Sequence, residues 1–101
     1  MNNSKLFDND VIRDIIKEVR QEQAISPKIK DETLNNYIKE GIYDIDEIVG
    51  SIIDFNEDLS ARALLKTYVL YATYKRIAEF KELYCSDYTT LQAKYYESTK
   101  L

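Results

Sequence analysis

The sequence predicts an all-α fold: a small bundle of about four helices with one long central helix. Apolar residues recur at steps of three and four along most of the chain, the spacing that gathers them on one helical face. Two glycines and one proline in 101 residues leave little turn material. A β-sandwich wants a turn signal roughly every 8–12 residues, so that class is disfavoured. The length, residues 1–101, is that of a single helical domain with one core.

The first helix is expected over residues 8–24. Asp8, Asn9 and Asp10 offer capping oxygens and negative charge at the positive end of the helix dipole. Val11, Ile12, Ile15, Ile16 and Val19 then form one apolar stripe, and Ile25-Ser26-Pro27 ends it, because a residue before proline is pushed out of the α region. A second helix fits residues 31–49, with Asp31 as N-cap and Leu34, Ile38, Ile42, Ile45 and Ile48 as its stripe. Gly50 stands where a left-handed C-cap is wanted. Gly41 lies inside the pattern at a cost of about 1 kcal/mol relative to alanine, which close approach of another helix would offset.

Ser51 to Glu57 reads as a connection whose Ile52, Ile53 and Phe55 tuck under the core. Asp58 or Ser60 then caps the longest helix, 59–84, about 39 Å at 1.5 Å per residue. One stripe on it runs Leu65, Val69, Ala72, Arg76, Phe80, Leu83 and another Leu70, Tyr74, Ile77, Tyr84. Apolar residues on two faces mark it as central or as meeting a partner. Arg76 interrupts the first stripe, to snorkel or to pair with a carboxylate. Ser86-Asp87 offers another N-cap for a terminal helix, 87–97, which carries Leu91, Tyr95 and Tyr96.

Composition narrows the function. No run reaches the roughly 18 apolar residues of a membrane span, and MNNSKLFDNDVIRD lacks the basic start and apolar middle of a signal peptide. Cys85 is the single cysteine, which allows no internal disulfide, suits a reducing cytoplasm and reads as a small half-buried hydrophobe. A net charge of −4 argues against general nucleic-acid binding. The charge is unevenly placed: residues 1–58 hold seven basic and fourteen acidic side chains, residues 59–101 seven basic and four acidic. Either the halves offset each other within one fold, or they offer complementary patches to neighbouring copies, with Lys66, Lys75 and Lys81 on the basic side.

Catalytic chemistry is thin, and the reading is of a protein that is not an enzyme. Histidine is absent, which removes the commonest general base and metal ligand. Gly41 and Gly50 stand alone, so no glycine-rich loop can cradle phosphates, and no cofactor is implied. Asp44, Asp46 and Glu47 lack the spacing and loop glycine of a calcium site and read as a solvated acidic face. Glu79 and Glu82 with Lys75 and Lys81 read as exposed helix-surface pairs.

What stands out instead is tyrosine: Tyr68, Tyr71, Tyr74, Tyr84, Tyr88, Tyr95 and Tyr96 fall in 29 residues. Tyr68, Tyr71 and Tyr84 read as core packing with the hydroxyl at the surface. Tyr88, Tyr95 and Tyr96 are candidates to touch another subunit, since tyrosine joins a large rigid face to a polar tip.

The stretch DFNEDLSARALLKTYVLYATYKRIAEFKELYCSDYTTLQAKYY resembles the C-terminal part of the head–tail connector (portal-adaptor) proteins of tailed bacteriophages. The residues that carry the likeness are Asp54-Phe55, Asp58, Arg62, Leu64-Leu65, Tyr68-Val69, Tyr71, Glu79-Phe80, Tyr84, Asp87, Leu91 and Tyr95. DETLNNYIKEGIYDIDEIVG is similar to the helix that precedes it in that family. The resemblance implies a phage or prophage virion structural protein, an all-α subunit that forms a dodecameric ring under the portal. It would extend the DNA channel in the virion neck and dock the tail or a stopper protein, after assembly in the host bacterial cytoplasm. The family's route to the portal falls here on Gln92 to Leu101, and isolated subunits can be monomeric. The residues alone leave a second class open: a small helical regulatory or adaptor protein that binds a single partner.

Overall fold

The computed structural model describes residues 8–100, with side chains as far as Tyr96. The first seven residues, read above as lacking a targeting signal, lie outside this range. Five helices follow one another: α1 (Asn9–Glu22), α2 (Asp31–Val49), α3 (Leu59–Thr73), α4 (Ile77–Leu83) and α5 (Cys85–Lys100). No described residue is in a strand. The helices pack into a body with a radius of gyration of 13.4 Å, close to the ~13 Å of a 100-residue globular domain.

α1 starts because the Asp8 carboxylate accepts hydrogen bonds from the amides of Asp10 and Val11. It buries Val11, Ile12, Ile15 and Val19. Arg20 then donates to the Ile29 carbonyl at 2.5 Å and to the Asp31 carboxylate at 2.7 Å, which folds the α1–α2 connection back on itself. α2 begins one residue earlier than an Asp31 cap would place it: Lys30 is the N-cap, with no side-chain cap, and Asp31 is the first helical residue. There it still favours the positive helix end. Gly50 closes α2 at φ +84°, as its position predicts. Gly41 also does what was expected of it. A Cβ there would lie 2.6 Å from Leu65 Cδ1 and 2.9 Å from Tyr68 Cδ1, so the glycine lets α3 rest on α2.

The connection after α2 buries Ile53 and Phe55, but Ile52 is 67% exposed and does not join the core. Asp58 caps α3, accepting from the Ala61 amide at 3.0 Å and from the Ser60 hydroxyl at 2.9 Å.

The expected single helix 59–84 is two helices. After Thr73 the Lys75 amide bonds the Ala72 carbonyl and the Arg76 amide bonds the Tyr71 carbonyl, at 3.0 and 2.9 Å. Lys75 between them adopts φ +60°. These are the paired bonds of a Schellman C-cap, in which the left-handed residue is a lysine rather than a glycine. α4 turns back so that Phe80 is fully buried. The last helix starts at Cys85, two residues before the expected 87, and Cys85 is exposed rather than half-buried. With the long helix divided, the central element is α2, which packs against α1, α3 and α5.

Candidate interaction surface

Five of the ion pairs among the described residues join the acidic first half of the chain to the basic second half. The tightest centres on Glu18 of α1. Arg62 grips it with two donors, at 3.1 and 2.6 Å, and also donates to the Phe55 carbonyl. Lys66 reaches Glu18 at 3.1 Å and Glu22 at 2.9 Å. The Arg62 hydrogen bonds, helped by Lys66 and opposed by partial burial, hold the Glu18 carboxyl below its ordinary range. The charge asymmetry read from sequence is thus used inside the chain.

The three lysines singled out above each meet a partner in their own chain. Lys66 is only 17% exposed at its side chain and belongs to the Glu18–Glu22 cluster. Lys81 pairs with Asp44 at 2.8 Å. Lys75 approaches the Tyr37 hydroxyl at 3.3 Å and its ring face at 5.9 Å. The exposed pairs expected between Lys75, Lys81, Glu79 and Glu82 are replaced by these contacts and by Arg76–Glu79 at 2.5 Å.

Phe80 sits inside a ring of tyrosines. Its ring lies 5.5 Å from Tyr68, 5.6 Å from Tyr71, 5.1 Å from Tyr84 and 6.1 Å from Tyr88. Most of these contacts are edge-on or tilted, the arrangements that ring quadrupoles favour. Tyr68, Tyr71 and Tyr84 therefore pack as the sequence suggests. Tyr88 joins them: it is 5% exposed, and its hydroxyl donates to Asp44 at 3.0 Å. Burial, then the Asp44 charge, push its hydroxyl far above the usual tyrosine range. Asp44, read as part of a solvated face, instead ties α2 to both α4 and α5.

A second carboxylate does the same work at the other end of α5. Asp58 is 8% exposed and accepts from Tyr95 at 2.6 Å and Lys94 at 2.9 Å, in addition to its α3 cap. Burial alone would raise this carboxyl. The hydrogen bonds from Tyr95, the Ala61 amide, Lys94 and Ser60 outweigh it and hold the group well below the usual range. Tyr95, half-buried, has its hydroxyl pushed upward by burial and by this acceptor. Sequence reasoning saw Asp58 as a cap but missed its second role. Tyrosine at the spacing 88, 91, 95 with leucine is a buried stripe, and its hydroxyls need acceptors.

Of the three tyrosines expected at the surface, Tyr96 alone is largely exposed, at 62%. The side chains beyond it, in the Gln92–Leu101 segment expected to reach a portal, lie outside the described residues. Another open apolar surface was not anticipated. A groove of about 420 Å³ runs along the end of α2, walled by Ile42, Tyr43, Asp46, Gly50 and Ile52. Tyr43 is 63% exposed there. Asp46 accepts from the Ile53 amide at 3.2 Å, and burial, only partly offset by that bond, pushes its carboxyl up to about 6.

No group of three or more potential ligands that could hold a metal occurs among the described residues. No described helix is long and apolar enough to cross a membrane. No family model, curated protein or solved structure matches the chain.

Proposed function

We propose that this chain is a virion structural protein: a head–tail connector that forms a ring under the portal of a tailed phage and serves assembly rather than catalysis. The observation that carries the reading is where the residues of the resemblance fall. Asp58, Tyr95 and Leu91 pin α5 to the start of α3, and Arg62 locks α3 to α1. Tyr68, Tyr71, Phe80 and Tyr84 fill the nest between α3 and α4. The likeness is thus concentrated in residues that set the angles between four helices, which is what a repeated subunit needs to hold constant. Such a subunit lines a DNA channel best when it does not grip phosphate, and a net charge of −4 suits that. In this reading Tyr96 and the end of α5 face the portal, and the protein resides in the virion neck after assembly in the host cytoplasm.

The test is to mix the purified chain with its cognate portal protein and resolve the products by size-exclusion chromatography with light scattering. The connector reading expects a portal-bound ring of many copies. A chain that stays apart from portal, or binds a single partner one to one, overturns it in favour of a small adaptor.

A further inference from the structure

Among the surfaces of this chain that hold large apolar side chains in water, two carry complementary charges. The first is the groove at the end of α2, with Tyr43 at 63% and Ile52 at 67% exposure. The described residues that line it include Asp46 and Glu47 and no lysine or arginine. The second is the turn between α3 and α4, where Tyr74 is 64% exposed and is followed by Lys75 and Arg76. Lys75 holds φ +60°, a left-handed conformation that is costly for a residue with a side chain. That turn leaves Tyr74 in water beside the Phe80 cluster.

The two surfaces lie on different faces of α2. Lys75 reaches Tyr37, and Lys81 reaches Asp44, so the turn and α4 cover the face that carries those two residues. Asp46 is two positions beyond Asp44, about 200° further around a helix of 3.6 residues per turn. A contact from one surface to the other on a second copy is therefore heterologous. It leaves the pair with one patch of each kind still open, one on each copy, which is the condition for a closed ring or an open chain.

We infer that the Tyr74–Lys75–Arg76 turn of one copy seats in the Tyr43–Ile52 groove of the next. The Tyr74 ring covers Ile52 and Tyr43, while Arg76 meets Glu47 and Asp46 and Lys75 keeps its Tyr37 contact. Arg76 leaves only an exposed i,i+3 pair with Glu79 to do so, and such pairs contribute little to stability. The inference deepens the ring reading and rests on it for closure of the ring, not for the contact itself.

Cys85 is the chain's single cysteine, so Cys85→Ser gives a background free of thiols. Ser51→Cys, beside Ile52 in the groove, and Ala78→Cys, an exposed position just past the turn, are made separately in that background, so that Tyr43, Ile52 and Tyr74 stay in place. The two are mixed at about 0.5 mM, where a contact of near-millimolar Kd is well populated, and treated with a short bismaleimide. The mixture should give about tenfold more cross-linked dimer than either variant alone, or than Ser51→Cys mixed with Lys28→Cys on the distant α1–α2 loop. Adding Glu47→Lys to the groove variant should cut the yield about fivefold, and Arg76→Glu on the turn variant should restore it, since like charges disfavour contact and opposite ones favour it. A yield no higher than the controls, or one that the charge reversals do not move, overturns the proposal. No portal enters this readout. Portal binding without the cross-link leaves the connector reading standing and removes the contact, and the cross-link without portal binding does the reverse.

Discussion

The α1–α2–α3 body and the α4–α5 unit are held by different forces. In the first, aliphatic side chains do the work: Ile15, Val19, Leu34, Ile38, Ile45, Leu65 and Val69 are fully buried, and Gly41 brings α2 and α3 into close contact. In the second, one phenylalanine, five tyrosines and two carboxylates set the geometry. Aliphatic packing is tolerant of exchange, whereas a hydroxyl bonded to a buried carboxylate fixes both distance and direction. The body thus supplies stability and the aromatic unit supplies orientation.

The sharpest way to break the second region is to empty its centre. Phe80→Ala should destabilise the chain by about 3–5 kcal/mol, the usual cost of an aromatic cavity, measured as a lower midpoint in urea. Asp58→Ala should cost about 2–3 kcal/mol, because it removes the α3 cap and leaves the Tyr95 hydroxyl without its acceptor. Hydrogen exchange should then rise along α5 around Tyr95 more than along α2. Equal loosening of both would erase the distinction between the regions.

Gly41→Ala tests the aliphatic body. A gain of about 1 kcal/mol in helix propensity is opposed by overpacking against Leu65 and Tyr68, typically about 1–3 kcal/mol. A net loss of about 1–2 kcal/mol in thermal or urea unfolding is expected.

The smallest effect concerns pH, and there the two buried carboxylates differ in sign. The Asp46 carboxyl is raised to about 6 in the folded chain from an ordinary 3.8. The folded state therefore holds a proton that the unfolded state releases, and Asp46 favours folding below pH 3.8 and loses that contribution as pH rises through 6. Asp58 is lowered, so its contribution is present above pH 3.8 and is lost as pH falls below it. Asp46→Asn should consequently raise stability at pH 8 by about 1 kcal/mol, after discounting for partial solvation, and change it little at pH 4. A gain of the same size at both pH values would assign the effect to something other than ionisation.

Much of this fold can be read from the residues. α1 and α2, their apolar stripes and the roles of Gly41 and Gly50 follow from period, proline and glycine. The break after Thr73 does not, and comparison with Gly50 shows why. Gly50 and Lys75 both take the left-handed position that ends a helix, but glycine does so without strain and so announces it, while lysine gives no sign. The one trace was Arg76 in the middle of an apolar stripe. It marks the point where Val69 and Ala72 belong to one helix and Phe80 to the next.

The site was half legible for a related reason. Tyrosine content pointed to Tyr88, Tyr95 and Tyr96 together, yet only side-chain acceptors elsewhere in the chain separate them. Asp44 and Asp58 lie 44 and 37 positions before their tyrosine partners, too far for any local pattern to pair them. Likewise Ile52 and Ile53 are indistinguishable in sequence, and only the direction of the chain after Gly50 sends one outward and the other into the core.

The claim that this chain builds a ring beneath a portal is tested most directly by a cryo-EM map of the virion neck, or of the chain reconstituted on its cognate portal. The account predicts a ring of five-helix subunits on the tail side of the portal, with the end of α5 turned toward it. A neck whose ring has another fold, or a portal that carries no copies of this chain, would contradict it.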